Sequence, residues 1–173
     1  MKQIIQKVKT GFTLIELLIV IGILAILAAA VFFALNPVAR FRDARNSRRQ
    51  SDVSAILNAI KVNQVDKKNY LGAIENEMDA GSYYMIGTAG TDVGCTAPCA
   101  NPTVTLQPRC INLDELVSGD YIPSIPFDPN QDSASKGFSY YYISKTEGGI
   151  ITVGSCSEEQ DSNGDMPEIQ VKK

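Results

Sequence analysis

The sequence contains no histidine. Imidazole is the commonest general base and metal ligand in proteins, so its absence weakens most catalytic readings at once. Charge is missing from one long stretch: among the 24 residues from Phe12 to Leu35, only Glu16 is charged. A helix of that length, rising about 1.5 Å per residue, crosses a hydrocarbon layer of about 30 Å. Acid is missing from the start. Lys2, Lys7 and Lys9 precede the apolar run with no Asp or Glu among them, which favours a cytoplasmic N-terminus. Cysteine is scarce, and Cys95, Cys99, Cys110 and Cys156 all follow the apolar run, on the side predicted to be exported. Four thiols in an oxidising compartment suggest two disulfides, with three possible connectivities.

What remains is unevenly spread. The 173 residues carry a formal charge of −3 and suit one compact domain with a tether. Arg40, Arg42, Arg45, Arg48 and Arg49 fall within ten residues, whereas from Asp66 onward 7 basic residues face 16 acidic ones. The arginine cluster is interleaved with Asp43 and Asp52 and lacks an aromatic stacking run. It reads as a solvated or intersubunit helix face, near anionic lipid before assembly, and no direct nucleic-acid binding is expected.

Three readings compete for the first 35 residues: a secretory signal cut after Ala30, a plain membrane anchor, and a processed leader. Glu16 separates them. A carboxylate near the start of an apolar helix costs roughly 2.5–3.5 kcal/mol on insertion scales, and a simple signal or anchor gains nothing from it. The run Gly11-Phe12-Thr13-Leu14-Ile15-Glu16, after a lysine-bearing leader and opening a long apolar helix, resembles the processing motif of type IV pilins and pseudopilins.

That resemblance implies an α+β fold: a long N-terminal helical stem, half membrane-spanning and half amphipathic, packed on a small antiparallel sheet. It implies residues 1–11 as leader, 12–65 as stem (12–35 transmembrane and later filament core, 36–65 amphipathic) and 66–173 as head with a C-terminal β-hairpin. A membrane peptidase would cut between Gly11 and Phe12 and methylate Phe12. Phe12 and Glu16 would direct assembly, the acid of one subunit meeting the new amine of another. The implied protein is a structural subunit and not an enzyme. It is stored in the inner membrane as a single-pass precursor and extracted by an assembly platform. It ends in a homo-oligomeric helical filament at the cell surface, serving adhesion, motility or DNA uptake. A major pilin is the first expectation. A minor pilin or a type II secretion pseudopilin is the second, and a tethered or secreted binding domain is the rival from another class.

Pro37 predicts a helix break, with a kink or melting near Ala34 to Pro37. Val53, Ile56, Leu57 and Ile60 form one apolar stripe, with Asp52, Ser54, Asn58 and Lys61 turned outward. Tyr83 to Ile86 reads as a short strand and residues 87–109 as an irregular stapled loop. Asn112 is expected to cap a short helix that Gly119 ends. The prolines 123, 126 and 129 predict an extended connector, and 137–144 with 150–156 a hairpin. Tyr140, Tyr141 and Tyr142 are expected in the core and sheet.

The favoured bridges are Cys110 with Cys156 and Cys95 with Cys99, crossed pairings remaining open. No cofactor is expected. Calcium is the one cation to weigh: Asp161 to Asp165 alternates oxygen ligands, some pseudopilins hold calcium in their last loops, and Asp128 and Asp132 are further candidates. A mobile acidic tail is the favoured reading of that segment.

Overall fold

The computed structural model describes residues 11–88, Cys95, Cys99, Pro102, 110–132 and 134–173. The leader lysines and most of the predicted stapled loop lie outside the described residues. The chain divides into two compact units, one up to Val38 and the other Ala39–Lys173.

The first unit contains helix α1, Leu14–Leu35. Its side chains from Leu14 to Phe33 are exposed and almost all apolar, on every face. A helix apolar all round is of the kind that a large protein core or a membrane covers. It stops at Asn36, whose φ of 39° and ψ of 70° place it in the left-handed region. Asn tolerates that conformation better than most residues. The next residue, Pro37, opens helix α2, Pro37–Lys67. Proline has no N–H to leave unpaired in a first turn and its φ is already helical. The predicted break is therefore present, concentrated in one residue.

In the second unit, α2 buries Val53, Ile56, Leu57, Ala59 and Ile60 as one stripe, as the periodicity predicts. Asn58 is exposed, but Asp52 is not turned to solvent as predicted: its Oδ2 accepts from the hydroxyl of buried Tyr141 at 2.8 Å. A short helix α3 (Gly72–Asn76) contributes buried Ile74.

Strands β1 (Tyr83–Met85), β2 (Tyr141–Lys145), β3 (Ile151–Ser155) and β4 (Gln170–Lys172) form one antiparallel sheet in the order β1-β2-β3-β4. The stripe of α2 joins Tyr84, Ile86, Tyr141, Ile143, Ile151, Val153 and Ile169 in a single core cluster. Burial of this apolar area is the main stabilising term, at about 25 cal/mol per Å². All three tyrosines from Tyr140 to Tyr142 are buried. Tyr142 lies opposite Gly154, and a Cβ on Gly154 would strike its ring, which explains a glycine inside a strand.

The predicted hairpin is β2–β3, and it is shorter than expected because Tyr140 has a φ of 62°, outside extended geometry. The connector over the three prolines contains no strand. Helix α4 is Asp114–Ser118, ended at Gly119. Its cap residue is Leu113 and not Asn112, although Asn112 Oδ1 still accepts the N–H of Asp114 at 2.8 Å.

Two further expectations are corrected. The bridges are Cys95–Cys110 and Cys99–Cys156, with Cα separations of 4.9 and 4.7 Å, so the pairing is crossed and not Cys95–Cys99 with Cys110–Cys156. The fold brings Cys110 beside Met85 and Tyr142, where Cys95 and Cys99 also pack. The acidic C-terminal segment is not a mobile tail. It buries Ile169 and returns as β4 on the edge of β3, with Thr152 opposite Lys172 and Gly154 opposite Gln170.

Candidate functional site

Gly11, Phe12 and Thr13 precede the first turn of α1 in non-helical backbone. A Cβ built on Gly11 would meet nothing within 4 Å. Among the described residues nothing makes a demand for glycine there. Phe12 is 86% exposed.

Thr13 is the N-cap of α1, with φ −79° and ψ 152°. Its Oγ1 accepts the N–H of Glu16 at 3.3 Å. In return Glu16 Oε2 accepts the Thr13 N–H at 2.8 Å and the Thr13 hydroxyl at 2.7 Å. This is a capping box, which supplies donors and acceptors at a helix start that has no intrahelical partners. The uncut chain thus satisfies the Glu16 carboxylate locally. Thr13 is a capping position the motif reading passed over, and the signal was present: Thr, two residues, then Glu at the head of an apolar run. The 20 residues Leu14–Phe33 are long and apolar enough to cross a membrane. Glu16 is the single charged side chain among them.

The second unit has its own charged centre, built where sequence reasoning saw only an arginine face. Arg49 lies on the buried side of α2 and has no exposed surface. Its Nε and Nη2 donate to the two oxygens of Asp128 at 2.7 and 3.0 Å. Its Nη1 donates to Asn46 Oδ1 and to Glu159 Oε2, both at 2.8 Å. Arg45 grips the same Glu159 with two bonds of 2.7 and 2.6 Å. Burial works against the charge of Arg49, but the bonds from Asp128 and Glu159 hold its pKa above the ordinary arginine value. The Arg45 hydrogen bond, opposed by burial and helped by Arg49, keeps Glu159 below the ordinary glutamate value. Of the five clustered arginines, Arg49 is therefore interior and Arg45 is half-buried against Glu159, which corrects the solvated-face reading for Arg49. Arg40 and Arg48 stay exposed, 3.9 Å from Asp43 and 3.7 Å from Asp52.

Of the calcium candidates, Asp128 does not fit a metal. Both Asp128 oxygens are committed to Arg49. Asp132 is exposed. Asp161 Oδ1 accepts the N–H groups of Asn163 and Asp165 and so closes its own turn. Among the described residues no three acidic, histidine or cysteine side chains converge as a metal site.

Comparison with known proteins points to the N-terminal segment. Residues 6–32 match the prokaryotic N-terminal methylation motif. Over 157 residues, the chain is 28% identical to the type II secretion system core protein G of Vibrio cholerae serotype O1, an alignment covering 91% of this chain and 86% of that protein. No solved structure gives a significant match. In its methylation motif, its apolar helix leading into a second helix, its small antiparallel sheet and this relative, the chain is similar to the type IV pilins and pseudopilins.

Proposed function

We propose that the chain is made as a membrane-anchored precursor, cut between Gly11 and Phe12, methylated at Phe12 and polymerised into an extracellular filament as a structural subunit. The observation that carries this is the placement of Glu16, a lone carboxylate at the third residue of a 20-residue apolar span that begins three positions after Gly11. The capping box offsets part of the cost of that acid in the precursor. Cleavage creates an ammonium at Phe12, and a neighbouring subunit's Glu16 can neutralise it when apolar helices stack. The pair then sets register as well as charge balance. The implied partners are the leader peptidase, the assembly platform and further copies of the chain.

Intact mass of the exported protein tests the first half. The expected species lacks residues 1–11 and carries one added methyl group. A product beginning at Val31 instead would support the secreted binding-domain reading and end this one. Glu16→Ala tests the second half: processing continues, while incorporation into sheared filaments falls sharply. Normal filament yield from that variant would remove the assembly role.

Within the family, a surface pilus is supported by the two disulfides bracing the head. A secretion pseudopilus is supported by the Vibrio relative, aligned over most of both chains, and by the proline-rich connector. Deleting the gene separates them. Loss of surface filaments with normal protein export marks a pilus subunit, and loss of export marks a pseudopilin.

A further inference from the structure

The centre around Arg49 is charge-balanced without any added ion. Two carboxylates, Asp128 and Glu159, face two guanidiniums, Arg45 and Arg49, and each of the four carboxylate oxygens accepts at least one bond from them. Further bonds lock the same groups to the backbone. Asn46 Nδ2 donates to the Glu159 carbonyl at 2.6 Å, the Glu159 N–H donates to Asn46 Oδ1 at 3.1 Å, and the Asn130 N–H donates to Asp128 Oδ1 at 2.9 Å. Asp128 belongs to the proline connector and Glu159 to the segment between β3 and β4. Their partners Arg45, Asn46 and Arg49 occupy little more than one turn of α2.

We propose that Arg49 is a built-in cation that pins the connector and the C-terminal segment to α2, so that the head of this chain holds both loops without calcium. A divalent ion among these oxygens would leave an uncompensated double positive charge in a dry site unless a guanidinium left it, and burying unpaired charge is strongly unfavourable. Hard cations need several oxygens with free lone pairs directed at one point. Here those lone pairs are spent on N–H groups of fixed fork geometry, which arginine supplies and lysine does not. Asp128, one of the acidic residues that suggest a metal in the sequence, is a counter-charge of an arginine 79 positions away.

The test is thermal unfolding of the purified full chain in detergent micelles, followed by tyrosine near-ultraviolet circular dichroism, in chelator and in calcium. A calcium ion bound at tenfold its dissociation constant would raise the midpoint by roughly 4 °C. The wild-type midpoint is expected to be the same in both solutions, and a calcium-dependent rise of that size would overturn the proposal. Arg49→Met should lower the midpoint by about 10 °C, the scale of a broken buried ion pair. Adding Asp128→Asn to it should recover a substantial part, because the stranded charge is then gone. If Arg49→Met does not fold, Arg49→Lys serves, keeping the charge and losing the fork, with an intermediate loss. An unchanged midpoint in either single variant, or a double variant no more stable than Arg49→Met, would refute the role of Arg49.

Discussion

Removing one bridge at a time tests the crossed pairing quantitatively. The Cys99–Cys156 bridge spans 57 positions and Cys95–Cys110 spans 15. In the chain-entropy treatment, closing 57 residues restricts the unfolded chain by about 4.2 kcal/mol and closing 15 by about 3.0 kcal/mol. For a unit of this size each kcal/mol moves the midpoint by about 3 °C. The double variant Cys99→Ser/Cys156→Ser should therefore melt about 12 °C below the parent, and Cys95→Ser/Cys110→Ser about 9 °C below. The loops share residues 99–110, so losing both bridges should cost less than the two losses added. Thermal unfolding without reductant gives the midpoints, and peptide mapping of the oxidised parent confirms the pairs. Consecutive pairing predicts something else: a Cys95–Cys99 bridge would close only four positions and contribute about 1.9 kcal/mol. A smaller loss from removing the long bridge than from removing the short one would refute the reasoning.

Tyr141→Phe removes the donor to the Asp52 carboxylate inside the head and should cost about 2 kcal/mol, read as a lower urea midpoint with unchanged slope. Ile56→Ala, at a fully buried position, should cost about 3 kcal/mol, while Asn58→Ala on the exposed face stays within about 0.5 kcal/mol; equal costs would misplace the helix face. Acid should weaken the head through Glu159. Its folded pKa lies below the ordinary 4.5, so its contribution is complete above 4.5 and disappears as pH falls through the lower folded value. Asp52 and Glu158, raised by burial, act oppositely and favour the fold as they protonate. A Glu159→Gln variant should accordingly lose less stability than wild type between pH 4.5 and acid unfolding; parallel curves would show that Glu159 is not the group responsible.

The parts of this fold legible in the sequence are those set by near neighbours. The apolar span, the α2 stripe at 53, 56, 57 and 60, the proline connector and the β2–β3 hairpin each follow from periodicity or turn chemistry within a dozen residues. The capping box at Thr13 and Glu16 was equally local. What stayed hidden depends on distant partners. Arg49 looks like its exposed neighbour Arg48 until Asp128 arrives from 79 positions away. Strand β4 is only three residues long and follows an acidic turn, so its alternation is too brief to stand out. Cysteine spacing carries no Cα distance, and the fold, not proximity in sequence, chose the partners.

The interleaved bridges have a consequence for biogenesis. On the proposed topology the thiols emerge into the oxidising compartment in the order 95, 99, 110, 156. An oxidase acting on each pair as it appears would join the first two and then the last two, leaving the wrong isomer. Reaching the arrangement seen here requires either that the sheet condenses before oxidation, or that a thiolate reshuffles the early bonds through mixed disulfides. Yield of the mature protein should depend on disulfide isomerisation if the second route operates, and on oxidation alone if the sheet condenses first.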